Sequence, residues 1–199
     1  MGTLYATVTL DWEGEQITPL SLQALENFKT VHPDIPFTHF ICPAYFTRGN
    51  ELSEYSNRIK ALTQNDEVGV HIHCWETLVR KSHVEPITKP TCTHHEFIVK
   101  YGNEKEDKGF AVPLGLYSEE NIRKILRTAK QILIEQSLTT PKACVSFRCG
   151  AWMACDAVFS ALQKEGFKND ASAAPSNWLP LITEDEIPTF ASWIRLLWG

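Results

Sequence analysis

Short apolar runs alternate with amphipathic stretches along this chain, and that alternation restricts it to folds in which strands and helices take turns. Residues 5–10 (YATVTL) read as a strand that ends at an acidic cluster. Residues 21–31 follow, with Leu22, Leu25 and Phe28 at helical spacing, closed before Pro33. A second strand at 37–42 (FTHFIC) is halted by Pro43, and a second helix at 51–62 carries Leu52, Tyr55, Ile59 and Leu62 on one side. Residues 67–73 (EVGVHIH) make a third strand. Ser118 caps the best helix, whose first turn holds Glu119 and Glu120 and whose stripe is Ile122, Ile125, Leu126, Ala129, Ile132 and Leu133. A fourth strand is expected at 142–147, a further helix at 156–164 ended by Gly166, and the start of a fifth strand at 167–171.

The 199 residues suffice for one domain with a sizeable core, so 1–199 is read as a single unit with a long loop insertion at about 81–116. A net charge of −5 gives no electrostatic reason to expect nucleic acid as a partner. No window reaches the ~18 apolar residues of a membrane span. The first eight residues carry no Lys or Arg and do not look like an export signal, and the six cysteines include no Cys-x-x-Cys pair. Together these features predict reduced thiols in a cytoplasmic protein.

Chemistry concentrates at two strand ends. Side chains two apart in a strand share a face, so Thr7, Thr9, Asp11 and Glu13 point one way and Val8, Leu10 and Trp12 the other. In the third strand Gly69, His71 and His73 oppose Val68, Val70 and Ile72. Two carboxylates and two imidazoles at the C-terminal ends of parallel strands form the donor set of a catalytic Zn²⁺-type site, in which three ligands leave a position for water. Arg148, in Phe147-Arg148-Cys149-Gly150-Ala151-Trp152, offers a rigid fork suited to orienting Asp11. Asp170 is a candidate partner for substrate or for the Arg.

These segments resemble, in order, the motifs of the polysaccharide deacetylase (NodB-homology) superfamily of carbohydrate esterases. Residues 9–14 (TLDWEG) are similar to its first motif, 67–73 (EVGVHIH) to its histidine motif, 148–152 (RCGAW) to its third and 167–172 (FKNDAS) to its fourth. The resemblance implies a distorted (β/α) barrel and metal-dependent removal of an N- or O-linked acetyl group from a sugar or polysaccharide precursor. On that pattern Asp11 is the general base positioned by Arg148, while Glu13, His71 and His73 bind a divalent metal, zinc first among them. Trp75, Trp152 and Asp170 contact substrate.

Three positions differ from the family's pattern. Glu13 stands one residue later than the usual second Asp, and His71-x-His73 replaces His-x-x-x-His, a variant closer to the branch associated with bacterial surface-polysaccharide biosynthesis. The late Leu-x-His motif is absent, since no histidine follows His95. Either the barrel is shortened at its C-terminal end or the chain is a divergent member with another acid; the apolar last residues (188–199, PTFASWIRLLWG) are expected to dock on the open sheet edge, on a partner or on a second copy. Two competing expectations follow: an impaired relative that binds carbohydrate or protein, and an amide hydrolase or deformylase acting on a sugar nucleotide.

Overall fold

The computed structural model describes residues 7–13, 17–48, 52–88, 109–110 and 112–172. Its strands are β1 (Val8–Trp12), β2 (Phe37–Ile41), β3 (Glu67–Ile72), β4 (Ser146–Cys149) and β5 (Asn169–Asp170). All pair in parallel, and their order across the sheet is their order in the chain. The helices are α1 (Pro19–Val31), α2 (Leu52–Thr63), α3 (Glu76–Lys81), α4 (Glu119–Glu135) and α5 (Asp156–Lys164). Among the described residues no helix is long and apolar enough to cross a membrane.

Local chemistry explains the boundaries. Thr18 starts α1, its Oγ1 accepting from the Ser21 amide at 3.1 Å, with Pro19 in the first helical position, so the helix begins two residues earlier than expected. α4 carries the expected cap and stripe, with all six stripe residues buried. It ends where Ser137 turns left-handed and the Leu138 amide reaches back to the Leu133 carbonyl at 3.0 Å. Gly166 ends α5 in the same way. Strand β1 runs further than the apolar run suggests, to Trp12; positions 5 and 6 of the expected strand lie outside the described residues. Strand β4 starts four residues late because residues 140–145 spend their backbone groups in tight turns. The six-residue helix α3 was not anticipated.

The two faces of the sheet differ completely. Trp12, Ile41, Val68, Val70, Ile72, Phe147 and Cys149 pack with Leu22, Ile59, Leu62 and the stripes of α4 and α5 into one apolar core. The opposite face carries Thr9 and Asp11, Thr38 and Phe40, Glu67, Gly69 and His71, and Ser146 and Arg148, as the strand registers require. Its lower rim is polar: Glu67 accepts from Thr38 at 3.0 Å and from Ser146, and Asn169 donates to Ser146 at 3.0 Å.

This polar face is concave. Arg148 on β4 bonds Asp11 on β1 at 2.7 Å, three strands away. In a flat sheet that gap is about 14 Å, beyond the combined reach of the two side chains, so the sheet must curl around them. Gly69 makes the crossing possible. A Cβ there would lie 2.9 Å from the Phe40 ring, which instead covers β3 and carries the Arg148 guanidinium 4.4 Å above its centre.

Candidate metal centre

At the C-terminal rim of the concave face, β1 delivers Glu13 and β3 delivers His71 and His73. One ligand atom from each of the three lies within 4.8 Å of the others. The Glu13 carboxylate oxygen Oε2 faces His71 Nε2 at 3.3 Å and also contacts His73 Nε2. Both imidazoles are buried, while the Glu13 side chain keeps about 44% of its surface open to solvent.

The outer nitrogens decide what this contact means. His71 Nδ1 lies 3.0 Å from the Arg148 carbonyl and His73 Nδ1 lies 2.9 Å from the Phe110 carbonyl. A carbonyl only accepts, so each Nδ1 carries the hydrogen and each neutral ring turns a lone pair at Nε2 toward Glu13. Three acceptors then converge, and that arrangement demands a positive centre: a proton on each imidazole, or one cation among the three. The donor set of two imidazoles and a carboxylate fits a borderline divalent ion such as Zn²⁺. In the first case, with both imidazoles protonated, burial opposes ionisation of Glu13, but hydrogen bonds from His71 and His73, with their charges, outweigh it and hold the carboxyl far below the usual range.

The Cys42 amide donates to the Trp12 carbonyl at 2.8 Å, just past the last Trp12–Ile41 pair of the register, and its thiol lies near enough to Glu13 to feel that charge. The converging group among the described residues is Glu13, His71 and His73, without Cys42. Burial pushes the Cys42 thiol up to about 12, and the His73 carbonyl lies 4.0 Å away as its acceptor.

Asp11 has a different partner. Arg148 Nη1 donates to Asp11 Oδ1 at 2.7 Å and to Thr9 Oγ1 at 3.1 Å, while its Nε donates to the Ala171 carbonyl at 3.0 Å. The two acidic residues of β1 thus sit on one face in unlike surroundings, one against a permanent cation and one against two imidazoles.

The chain matches none of the family models, curated proteins or solved structures with which it was compared.

The three residues expected at the substrate take different positions. Trp75 is buried. It is about 1% exposed, and its indole N–H donates to the Glu13 carbonyl at 3.0 Å from behind the site. For Asp170, burial pushes the carboxyl up, opposed by bonds from Ser172 and by the charge of Arg148; the register pairs it with Phe147, and its Oδ1 accepts from the Ser172 amide at 3.2 Å and the Ser172 hydroxyl at 2.5 Å. Ser172 in turn accepts from the Cys149 amide at 2.8 Å, so the acid braces the end of β4. Trp152 does stand half-exposed, beyond Gly150, with both it and Ala151 at positive φ (55° and 53°). Two successive non-glycine residues in that region cost about 1–3 kcal/mol each and must be held by their surroundings.

Reasoning from sequence missed Phe110 and the role of Gly150. A Cβ at Gly150 would lie 2.6 Å from the Ile72 carbonyl and 2.9 Å from His73 Nδ1, so only glycine lets β4 end against that ring. His83 lines a surface groove with Lys81, Arg127, Gln131 and Glu135, against helix α4. His94, His95 and the apolar 188–199 segment lie outside the described residues, as does Cys92; the other five cysteines are buried and none is in a disulfide.

Proposed function

We propose that this chain is a zinc-dependent hydrolase that removes an acetyl group from a sugar or a sugar-containing precursor. The observation that carries the reading is the convergence of Glu13, His71 and His73 on one point, with the Asp11–Arg148 pair on the same face. The one-directional strand order and the concave polar face fit the start of a (β/α) barrel, in which reacting groups gather at the C-terminal strand ends.

Glu13 and the two histidines would hold the ion. When bound, it supplies Lewis acidity to the acetyl carbonyl and makes water a nucleophile near neutral pH. Asp11 takes the proton released as water attacks, and Arg148 holds that carboxylate in position. The leaving amine or alcohol needs a proton in return, which Asp11 can give back. Trp152, at the rim, offers an aromatic wall to the sugar. A site of this kind serves a soluble acetylated carbohydrate without nucleic acid, and the cytoplasm suits its free thiols.

Purification without chelator, followed by elemental analysis, tests the reading. The protein is expected to hold about one zinc per chain, and His71→Ala to hold none. Loaded protein should release acetate from acetylated sugars or sugar nucleotides and leave formylated analogues intact. Equal metal content in the variant overturns the site; full occupancy without turnover on any acetylated sugar overturns the hydrolase and leaves a binding protein.

A further inference from the structure

His73 and the chain end that carries Glu13 are held by one stack of side chains. Phe110 lies almost parallel to His73, with ring centres 4.0 Å apart and planes 12° from each other. Its carbonyl accepts from His73 Nδ1 at 2.9 Å. The same ring contacts Trp75 at 4.9 Å, and Trp75 holds the Glu13 carbonyl. The Arg48 guanidinium closes the stack, 3.9 Å from the Trp75 ring.

Gly109 seats this assembly. Its φ of +98° excludes ordinary side chains, and a Cβ would lie 2.2 Å from the Cys74 carbonyl. The backbone of residues 109–110 therefore lies directly against the chain leaving β3, and the Val112 amide closes the turn on the Gly109 carbonyl at 3.0 Å. Two independent features thus converge on one ligand: a hydrogen bond that fixes which nitrogen of His73 carries the proton, and a ring that fixes its plane.

We infer that Phe110, seated by Gly109, is the positioning residue of the metal centre, setting the tautomer and plane of His73 and, through Trp75, the strand end bearing Glu13. This rests on the metal reading above. Coupling of this kind is reciprocal: if docking of Gly109 and Phe110 favours the ion, the ion must favour docking.

The experiment compares wild type, Phe110→Ala, Phe110→Tyr and Gly109→Val by zinc titration, with far-UV circular dichroism as the control for folding. Phe110→Ala and Gly109→Val should bind zinc about 10–100-fold more weakly, and Phe110→Tyr, which keeps the ring, should return to within a few fold of wild type. Imidazole ¹⁵N NMR of metal-free protein should show His73 protonated at Nδ1 in wild type and a mixture of tautomers in Phe110→Ala. Should either damaging variant fail to fold, wild type alone decides: saturating zinc should slow hydrogen exchange at the Val112 amide. Wild-type zinc affinity in folded Phe110→Ala, or Val112 exchange indifferent to zinc, overturns the assignment. A wild type that takes up no zinc overturns the metal reading instead, and the tautomer comparison then judges Phe110 alone: a mixture in Phe110→Ala upholds its hold on His73, and an unchanged Nδ1–H refutes it.

Discussion

Replacing His39 by Phe should cost stability that depends on pH in one direction only. His39 is fully buried on the helix side of β2, stacked on Phe37 at 5.5 Å. Trp12 Nε1 donates to its Nδ1 at 3.2 Å, so the proton of the neutral ring sits on Nε2 and is given to Asp66 Oδ2 at 3.0 Å. Asp66 also pairs with Lys29 and accepts from the Phe37 amide at 3.2 Å. Phenylalanine fills much of the space but strands the indole N–H, costing about 1–3 kcal/mol, and removes one of three donors to Asp66, for a total of about 2–4 kcal/mol near pH 8. Burial, reinforced by Lys29 and only partly opposed by Asp66, holds His39 below its ordinary range. The unfolded chain therefore takes up a proton near pH 6.5 that the folded chain refuses. The contribution of His39 is complete above that pH and is lost as pH falls toward the depressed folded value, at up to about 1.4 kcal/mol per pH unit. Urea unfolding of both proteins, followed by tryptophan fluorescence with chelator present, should show the variant's deficit shrinking between about pH 7 and about pH 5.5. Asp66 is likewise depressed despite its burial, through bonds to Lys29 and His39, so its own window lies below the ordinary Asp range and leaves this interval clear. A deficit that stays constant, or grows on acidification, would refute the neutral, doubly bonded imidazole.

Two further substitutions probe the other face. Gly150→Ala should lose about 1–3 kcal/mol of stability and about 10–100-fold in zinc affinity, because the Ile72 backbone cannot yield and the His73 ring must; unchanged calorimetric zinc binding would mean the ring is not there. Arg148→Lys keeps the charge but replaces a fork holding Asp11, Thr9 and Ala171 by a single ammonium. Turnover should fall about 100-fold through misplacement of Asp11 while zinc content stays the same, and full turnover in a metal assay-matched sample would remove Arg148 from the mechanism.

What could be read in advance follows the range of the interactions. Strand alternation is strictly local, so residues 9–13 and 69–73 announced which side chains share a face, and the strand registers agree. Helix α4 was equally legible because its cap, charges and stripe repeat one message along seventeen residues. Register between strands is not local. Asp170 matched a motif by residue type, yet a period-two offset sets it level with Phe147 instead of Arg148. Trp75 gave no sign of its burial, since an indole beside a polar strand end serves equally as a platform or as a hidden donor. Phe110 came from a segment without periodicity, and only its neighbour's positive φ and its approach to Cys74 reveal why it docks.

The same distinction explains how one strand supports two chemical roles. Asp11 and Glu13 are equivalent by pattern, both acidic and both on the concave face. Their difference arises from β4 and β3, which send a guanidinium to one and two Nδ1-protonated imidazoles to the other. A carboxylate beside a permanent cation has its charge already balanced and does not need a metal. A carboxylate facing two nitrogen lone pairs has nothing to balance them until a cation or protons arrive. The proposed assignment of Asp11 to proton transfer and Glu13 to metal binding therefore does not depend on which acid comes first in the motif; it depends on what each neighbouring strand places opposite it.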